Sequence, residues 1–231
     1  MKWRGLEESK PEQHAASLRE ELEERKALAA QYVPADVQQV NRQTVEQLAA
    51  SGIAGRILAV GASAPGFDLP DQDGKSVSSK ELLSRGRLVI CFFRGRWCPF
   101  CVAQLEAMNS VLSQIEKAGA GLIAVSPQTV KQSFFMRDQH QLRFPLLSDG
   151  GNQLGRQFGL VYRVPEEQKQ VYSRTFVNLP FINGDASWEL PIPATCILER
   201  SGSVLYASAD PDYTRRPEPE GLVRFLDQLP G

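Results

Sequence analysis

The sequence predicts an α/β protein that carries a helical extension at its N-terminus. From residue 57 onward, short apolar runs typical of buried strands alternate with apolar residues at helical spacing. Two further strand-like segments flank the turn at residues 200–203, which predicts a hairpin at one edge of the sheet. Residues 1–56 differ, because they are rich in charge and have helical spacing. We therefore expect an N-terminal helical extension at 1–56 and an α/β domain at 57–231.

The extension is predicted to contain two amphipathic helices. Residues 7–26 are dense in Glu, Arg and Lys, Pro34 breaks that helix or starts the next, and Gly52 fits the end of the second. The apolar stripes consist of Leu18, Leu22 and Leu28, then Val37, Val40, Val45 and Leu48. Because the polar face is acidic, we expect an arm packed on the main domain or on a second subunit, not a membrane-surface or calmodulin-binding helix.

The main domain is predicted to alternate strands and helices up to the hairpin. The expected strands are residues 88–93, 121–125, 144–147, 195–198 and 204–207. The expected helices run from residue 99 to before 119, from after 127 to 139, from 152 to 158, and from 217 onward. Residues 161–192 show no readable period, so this long connection is expected to be irregular, and either functional or disordered.

The composition favours a soluble, cytoplasmic protein with an apolar core. Of the 231 residues, 42% are hydrophobic and 23% are charged, and the formal net charge is −1. This balance disfavours global disorder and sequence-independent binding of nucleic acid. The longest apolar run, residues 88–93, is too short to cross a membrane as a helix, and the N-terminus shows no apolar signal region.

The pair Cys98 and Cys101 is the feature most able to carry chemistry. A CxxC pattern between a strand and a helix puts a sulfur at the helix N-terminus, where unpaired N–H groups stabilise a thiolate. Arg94 and Arg96 are close in sequence and could add to this effect. Two thiols at this spacing can also close a disulfide across one helical turn. The pattern therefore offers an activated nucleophile and a way to resolve its oxidation product.

A zinc site is the main alternative for a CxxC pair. Such a site normally needs a second pair of ligands. The remaining candidate ligands are not in paired spacing; they are Cys91, Cys196, His14 and His140. We therefore expect no metal. We also expect no nucleotide or flavin, because no P-loop is present and no G-x-G-x-x-G is followed by an acidic residue at the right distance.

Several segments carry a resemblance to a known family. Residues 97–101, Trp-Cys-Pro-Phe-Cys, look like the W-C-x-x-C redox motif of the thioredoxin fold. Residues 64–69 and 73–75 match an opening A-P-x-F-x-L…D-G-K segment, and residues 193–198 resemble a later strand. Together they resemble the peroxiredoxins of the alkyl hydroperoxide reductase/thiol-specific antioxidant (AhpC/TSA) family, over roughly residues 57–230. Residues 212–216 also look like the C-P-x-C branch of that family.

This resemblance implies a thioredoxin fold, with a central mixed β-sheet flanked by helices, and the activity of a thiol-dependent peroxidase. Peroxiredoxins carry P-x-x-x-T-x-x-C, in which the last cysteine attacks peroxide. Here the proline position is Arg94, the threonine position is Cys98 and the attacking position is Cys101. The family's arginine before the later strand is replaced by Pro193. The candidates for the missing positive charge are Arg94, Arg96 and the residues of 161–192.

The order in which the two thiols react stays open. The peroxiredoxin alignment makes Cys101 a sulfenic acid that Cys98 captures, whereas a thioredoxin-like interpretation makes Cys98 the nucleophile. The flanking segments favour the first order. Trp97 is expected to shield the disulfide, and Pro193 resembles the cis-proline that faces the CxxC pair in thioredoxins. These two residues are therefore expected to form walls of the site.

The predicted function is the reduction of hydrogen peroxide or organic hydroperoxides. A thioredoxin- or glutathione-type reductant would regenerate the thiols, and the family and the helical arm are compatible with a homodimer. Two alternatives stay open: a thiol–disulfide oxidoreductase with little peroxidase activity, and a non-catalytic thioredoxin-fold module. Thiols of ordinary pKa would favour the module.

The other cysteines and two arginines are expected to be structural. Cys91 is expected to be a buried small hydrophobic residue. Cys196 either packs within its strand or approaches the CxxC pair as a further resolving thiol. Arg215 and Arg216 precede Pro217 in a loop and are expected to form surface ion pairs, not to bind peroxide.

Overall fold

A computed structural model of the chain describes residues 17–230, and its first elements are the two helices of the extension. Helix α1 spans Leu18–Tyr32 and helix α2 spans Ala35–Ala50. Ser17 is the N-cap of α1, and Pro34 occupies the N-cap of α2. The part of the first predicted helix that precedes residue 17 lies outside the described residues.

The elements that follow alternate as expected for an α/β domain. The strands are β1 (Asp68–Pro70), β2 (Ser76–Ser78), β3 (Arg87–Phe92), β4 (Ala120–Ser126), β5 (Leu146–Ser148), β6 (Val161–Arg163), β7 (Glu189–Pro191), β8 (Ala194–Leu198) and β9 (Val204–Ala209). The helices are α3 (Ser79–Arg85), α4 (Pro99–Ser110), α5 (Leu112–Lys117), α6 (Val130–His140), α7 (Gln153–Gln157), α8 (Glu166–Arg174), α9 (Leu179–Asn183) and α10 (Pro219–Asp227). The helix predicted from residue 99 to before residue 119 is divided at Val111 into α4 and α5.

The central sheet is mixed, and its strands run in the order β5-β4-β3-β8-β9. Strands β3, β4 and β5 are parallel, with Cys91 opposite Ala124. Strand β8 is antiparallel to both β3 and β9, and it forms the predicted hairpin with β9. A mixed sheet flanked by helices confirms the predicted fold class.

Helices cover both faces of this sheet, which explains the continuous apolar run of β3. Successive side chains of a strand point to opposite faces, so a strand buried on both sides is apolar throughout. Val89 and Cys91 face a core that includes α4 and α10. Ile90 and Phe92 face a second core, to which Ile53 and α7 contribute.

The N-terminal arm packs on the main domain, which is one of the two expected arrangements. Leu18 and Leu22 of α1 are 4% and 2% exposed and join the core around α4. Helix α2 contacts α8, where the Thr44 hydroxyl donates a hydrogen bond to the Gln168 side-chain oxygen at 3.1 Å. The domain boundary between residues 56 and 57 stays a prediction.

Residues 161–192 are more regular than expected. Strands β6 and β7 pair antiparallel, and α8 and α9 lie between them. The expectation of an irregular or disordered connection is wrong, because each element is too short to show a period in sequence. Helix α8, the longest of them, buries only Gln168, Val171 and Tyr172. No helix among the described residues is long and apolar enough to cross a membrane.

Candidate active site

The segment between β3 and α4 turns the chain and brings Cys98 to the start of α4. Gly95 has a φ of +143°, which favours glycine, and a Cβ there would lie 2.6 Å from the Nε1 atom of Trp97. The Cys98 N–H donates to the Gly95 carbonyl oxygen at 3.1 Å. Cys98 is the N-cap of α4, and Pro99 occupies the first turn. The CxxC pair thus lies at the strand-to-helix junction that the sequence predicted.

The two thiols of the pair are free, buried and in contact with each other. Cys98 is 1% exposed and Cys101 is 0% exposed. The Cys101 N–H donates to the Cys98 carbonyl oxygen at 3.0 Å, which closes the first turn of α4. The side chains of the two cysteines are close enough to form a hydrogen bond with each other. The ionisation of one thiol therefore affects that of the other.

Arg94 is buried beside Cys98. Its Nη1 atom lies 3.9 Å from the Cys98 sulfur, and its Nη2 atom donates to the Tyr172 hydroxyl. The guanidinium carbon is 4.7 Å from the ring centre of Trp97 and 4.3 Å from that of Tyr213. The site therefore holds a cation against aromatic faces next to the sulfurs of the pair.

A second guanidinium reaches the pair from the segment between β9 and α10. The Nη2 atom of Arg216 lies 3.7 Å from the Cys101 sulfur, and its Nε donates to the Gln104 side-chain oxygen at 2.7 Å. Gln104, on α4, donates in turn to the Thr195 hydroxyl of β8 at 3.3 Å. The expectation that Arg216 forms surface ion pairs is wrong, because its side chain turns inward to α4.

Its neighbour Arg215 behaves as expected for a surface residue. The Arg215 side chain is 72% exposed and lies 3.9 Å from an Asp210 carboxylate oxygen and 3.4 Å from one of Asp212. Spacing in the sequence could not distinguish these two neighbouring arginines. The one available signal for Arg216 was the resemblance of residues 212–216 to the C-P-x-C branch.

The surroundings change the acidity of the two thiols in opposite directions. Burial alone would raise the pKa of both thiols. At Cys101 it is outweighed by the hydrogen bond with Cys98 and by the positive charges of Arg216 and Arg94, which lower the pKa to about 5. At Cys98, burial and the neighbouring Cys101 sulfur raise the pKa well above its usual range. Of the two thiols, Cys101 is therefore the one whose surroundings favour the thiolate.

Arg96 lies on the outer side of the loop, with its charge directed away from the sulfurs. Its guanidinium donates to the side-chain oxygens of Gln132 at 3.2 Å and Gln139 at 3.4 Å, and lies 5.9 Å from the Phe135 ring centre. Of the two arginines expected to bind substrate, the structure brings Arg94 to the pair and directs Arg96 elsewhere.

The two expected wall residues occupy different surroundings. Trp97 is half-buried and packs edge-on against Tyr172, with ring centres 5.1 Å apart. Pro193 is buried directly before β8, and its carbonyl oxygen accepts from the Asp210 N–H at 3.4 Å. No cis peptide bond occurs among residues 17–230, so Pro193 does not share the cis bond of the thioredoxin proline that it resembles.

Cys91 and Cys196 lie on opposite faces of the sheet. Cys91 faces the core that contains the CxxC pair, and burial raises its pKa to about 12. Cys196 faces the other core, and burial likewise raises its pKa to about 12. The idea that Cys196 approaches the pair as a resolving thiol is therefore wrong. In the described part of the chain no group of three or more His, Cys, Asp or Glu could hold a metal ion.

The sequence matches the AhpC/TSA family model over residues 60–207. Chloroplastic peroxiredoxin Q of Oryza sativa subsp. japonica is 33% identical over 100 residues, which are 43% of this chain and 46% of that protein. Peroxiredoxin Bcp of Escherichia coli (strain K12) is 30% identical over 103 residues, which are 45% of this chain and 65% of that protein. The matched segment thus spans less than two thirds of the length of either of these relatives.

Solved structures share the fold. Peroxidoxin BcpB from Mycobacterium tuberculosis has a TM-score of 0.60 at 18% identity, covering 75% of this chain and 99% of that one. A peroxiredoxin Q from Xanthomonas campestris has a TM-score of 0.54 at 21% identity, covering 69% of this chain and 89% of that one. The region that matches the family model contains Cys98 and Cys101 and ends before Arg216.

Proposed function

This chain belongs to the AhpC/TSA family, and from that premise we propose that it is a thiol-dependent peroxidase in which Cys101 reduces hydrogen peroxide or an organic hydroperoxide. The observation that carries the proposal is the difference between two buried sulfurs in contact. Cys101 forms a hydrogen bond with Cys98 and faces positive charge, which lowers its pKa to about 5, whereas Cys98 stays protonated. The thiolate is the form of cysteine that reacts with peroxide.

In the first step, the Cys101 sulfur attacks the terminal oxygen of the hydroperoxide ROOH. A sulfur–oxygen bond forms while the oxygen–oxygen bond breaks. The sulfur is thereby oxidised to a sulfenic acid, and the peroxide is reduced to RO⁻, which takes a proton from solvent and leaves as ROH. Positive charge beside the sulfurs favours this step, because negative charge moves from sulfur to the leaving oxygen.

In the second step, Cys98 captures the sulfenic acid of Cys101. A disulfide forms and one molecule of water is released. The Cys98 S–H is within hydrogen-bonding distance of the Cys101 sulfur before the reaction begins. Because this condensation competes with attack on a second peroxide, a neighbouring thiol limits overoxidation. A dithiol reductant of thioredoxin type, or two molecules of a glutathione-type thiol, then returns two electrons and two protons to the pair.

A thiol–disulfide oxidoreductase is the second candidate, and one observation favours it. Cys98 is the N-cap residue of α4 and the N-terminal cysteine of the CxxC pair, which is the attacking position in the thioredoxin-like interpretation. The raised pKa of Cys98 argues against this order of attack, because the attacking species must be a thiolate. The peroxidase is therefore the function that we propose.

The proposal predicts different outcomes for the two cysteines in rapid-mixing measurements of hydrogen peroxide consumption. We expect the fully reduced protein to consume one equivalent quickly. Cys98→Ser should retain this first turnover because Cys101 is still present. Cys101→Ser should lose it by at least about a thousandfold, since the attacking sulfur is gone.

Cys196→Ser is the matched control, because it removes a buried thiol from the opposite face of the sheet. It should react as the wild type does. Slow consumption in the wild type, together with fast reduction of a protein disulfide that requires Cys98, would reject the peroxidase in favour of the oxidoreductase.

A further inference from the structure

We propose that Arg216, which lies outside the CxxC segment and outside the region that matches the family model, is a catalytic residue. Its guanidinium stabilises the thiolate of Cys101 and then the oxygen that leaves the peroxide. This inference rests on the proposed peroxidase function. It assigns the positive charge at the reacting sulfur to the segment between β9 and α10, where the sequence predicted only a surface ion pair.

The first support is that each of the two sulfurs has a different guanidinium group next to it. Arg94 approaches Cys98, the resolving thiol, with its Nη1 at 3.9 Å from that sulfur. Arg216 approaches Cys101, the attacking thiol, with its Nη2 at 3.7 Å. The charge in direct contact with the reacting sulfur therefore comes from Arg216. The Nη2 group of a guanidinium carries two N–H bonds, so it can contact the sulfur and the leaving oxygen together.

The second support is a set of hydrogen bonds that fixes the Arg216 side chain and continues to the buried side chains of Gln104 and Thr195. Its Nε donates to the Gln104 side-chain oxygen at 2.7 Å, and its Nη1 donates to the Arg215 carbonyl oxygen at 2.7 Å. Gln104 is 1% exposed and donates to Thr195, which is 0% exposed. Buried polar side chains are costly unless they are paired, and here each partner orients the next. Gln104 and Thr195 are therefore positioning residues for Arg216.

Apart from Arg94, the ionisable groups near the pair supply no positive charge. They are Tyr162, Tyr172 and Tyr213. Burial raises the pKa of the three tyrosines, so their hydroxyls are neutral at pH 7. The guanidinium groups of Arg216 and Arg94 are the positive charges that act most strongly on the two sulfurs.

The structure also offers a closely matched pair of variants. Arg215 and Arg216 are neighbours of the same charge, but Arg215 is 72% exposed and points to Asp210 and Asp212. Arg216→Gln and Arg215→Gln therefore change the net charge of the protein equally. Only Arg216→Gln removes a positive charge next to the Cys101 sulfur. Arg216→Lys keeps a positive charge without the two-pronged geometry.

The experiment measures the ionisation of Cys101 from the ultraviolet absorbance of its thiolate, and single-turnover peroxide consumption across pH, in the full chain. We expect Arg216→Gln to raise the Cys101 pKa by about 1–2 units. We also expect its rate on the high-pH plateau, where Cys101 is fully ionised, to fall at least about tenfold. Arg216→Lys should recover most of the pKa change, and Arg215→Gln should stay within about twofold of wild type in rate.

Gln104→Met tests the positioning residues. It should raise the Cys101 pKa in the same direction as Arg216→Gln, because the Arg216 Nε loses its acceptor and the guanidinium is no longer held beside the sulfur. Thermal unfolding of each variant verifies that it is folded. An effect of Gln104→Met on thermal stability alone, with an unchanged Cys101 pKa, would overturn the positioning role.

The possible failures are separable. An unchanged Cys101 pKa in Arg216→Gln would overturn the role of Arg216 at the thiolate. An unchanged plateau rate would overturn its role at the leaving oxygen. A wild type that ionises at Cys101 but consumes no peroxide would instead refute the proposed function.

Discussion

At the scale of single residues, the path of the chain into Cys98 depends on Gly95. Its φ of +143° is rarely adopted by residues with a side chain, and a Cβ would also lie 2.6 Å from Nε1 and 2.9 Å from Cδ1 of Trp97. We expect Gly95→Ala to lower the free energy of unfolding by about 1–3 kcal/mol and to slow peroxide consumption, because the ring next to Arg94 must move. Urea unfolding and rapid mixing measure the two effects.

Gly74→Ala is the control for this substitution. Gly74 also has a positive φ, +77°, but a Cβ there would meet nothing within 4 Å. It therefore reports the cost of a side chain at a positive φ without the collision. Equal losses of stability in the two variants, with equal peroxide rates, would contradict a specific role for Gly95 at the site.

The site residues differ in how far the sequence could predict them. Cys98, Cys101 and Arg94 belong to one strand-to-helix junction, so their proximity follows from local spacing. Arg216 is 115 positions from Cys101, and its contact depends on the path of the chain after β9. Sequence spacing predicted the wrong location for Arg96. The chain turns at Gly95, so that the Arg94 side chain reaches Cys98 while the Arg96 side chain reaches Gln132.

At the scale of elements, α1 and α10 are joined at their N-termini by one carboxylate. Glu218 is the N-cap residue of α10, and its side chain accepts from the backbone N–H of Leu18 at 3.1 Å and of Arg19 at 2.8 Å. These are N–H groups that a helix cannot satisfy internally. The N-terminal arm is thus held on the main domain by apolar packing and by the Glu218 carboxylate. Glu218 follows Arg216 by two residues.

We expect Glu218→Gln to lower the free energy of unfolding by about 0.5–1.5 kcal/mol, since a charged acceptor at a helix N-terminus becomes a neutral one. Glu220→Gln is the matched control, because Glu220 is an exposed carboxylate in the first turn of α10. Urea unfolding at low salt measures both variants. An equally small loss of unfolding free energy in both variants would show that the contact of Glu218 with α1 adds no stability of its own.

Elements were predictable where burial imposes a strong pattern. The run 88–93 predicted β3 because both faces of that strand are buried, and the turn at 200–203 predicted the pairing of β8 with β9. The elements within 161–192 could not be predicted, because they are three to nine residues long and several are stabilised by distant partners. Tyr172, for example, is buried against Trp97 and Arg94.

At the scale of the whole molecule, the thiolate links stability to pH. A group whose pKa falls on folding stabilises the native state above its unfolded pKa, and this contribution is lost as pH falls to the folded pKa. For Cys101 the pKa falls from 9.0 to about 5. The difference in unfolding free energy between reduced wild type and Cys101→Ser should therefore increase as pH rises from about 5 to 8.

Cys196→Ser again provides the comparison. Burial raises the pKa of Cys196 to about 12, so this thiol is protonated over the same pH range and its contribution to stability should be constant. Urea unfolding under reducing conditions at several pH values measures both differences. A Cys101→Ser difference that does not change with pH would contradict a depressed pKa at Cys101.

The contact between Glu218 and the N-terminus of α1 forms late in the synthesis of the chain. A ribosome makes both cysteines more than a hundred residues before it makes Arg216 and Glu218. Until that last stretch has emerged and closed against α1, the nascent chain carries a thiol pair without its second guanidinium. We expect the Cys101 thiol to react with peroxide more slowly during synthesis than after Arg216 and Glu218 have reached their places in the fold.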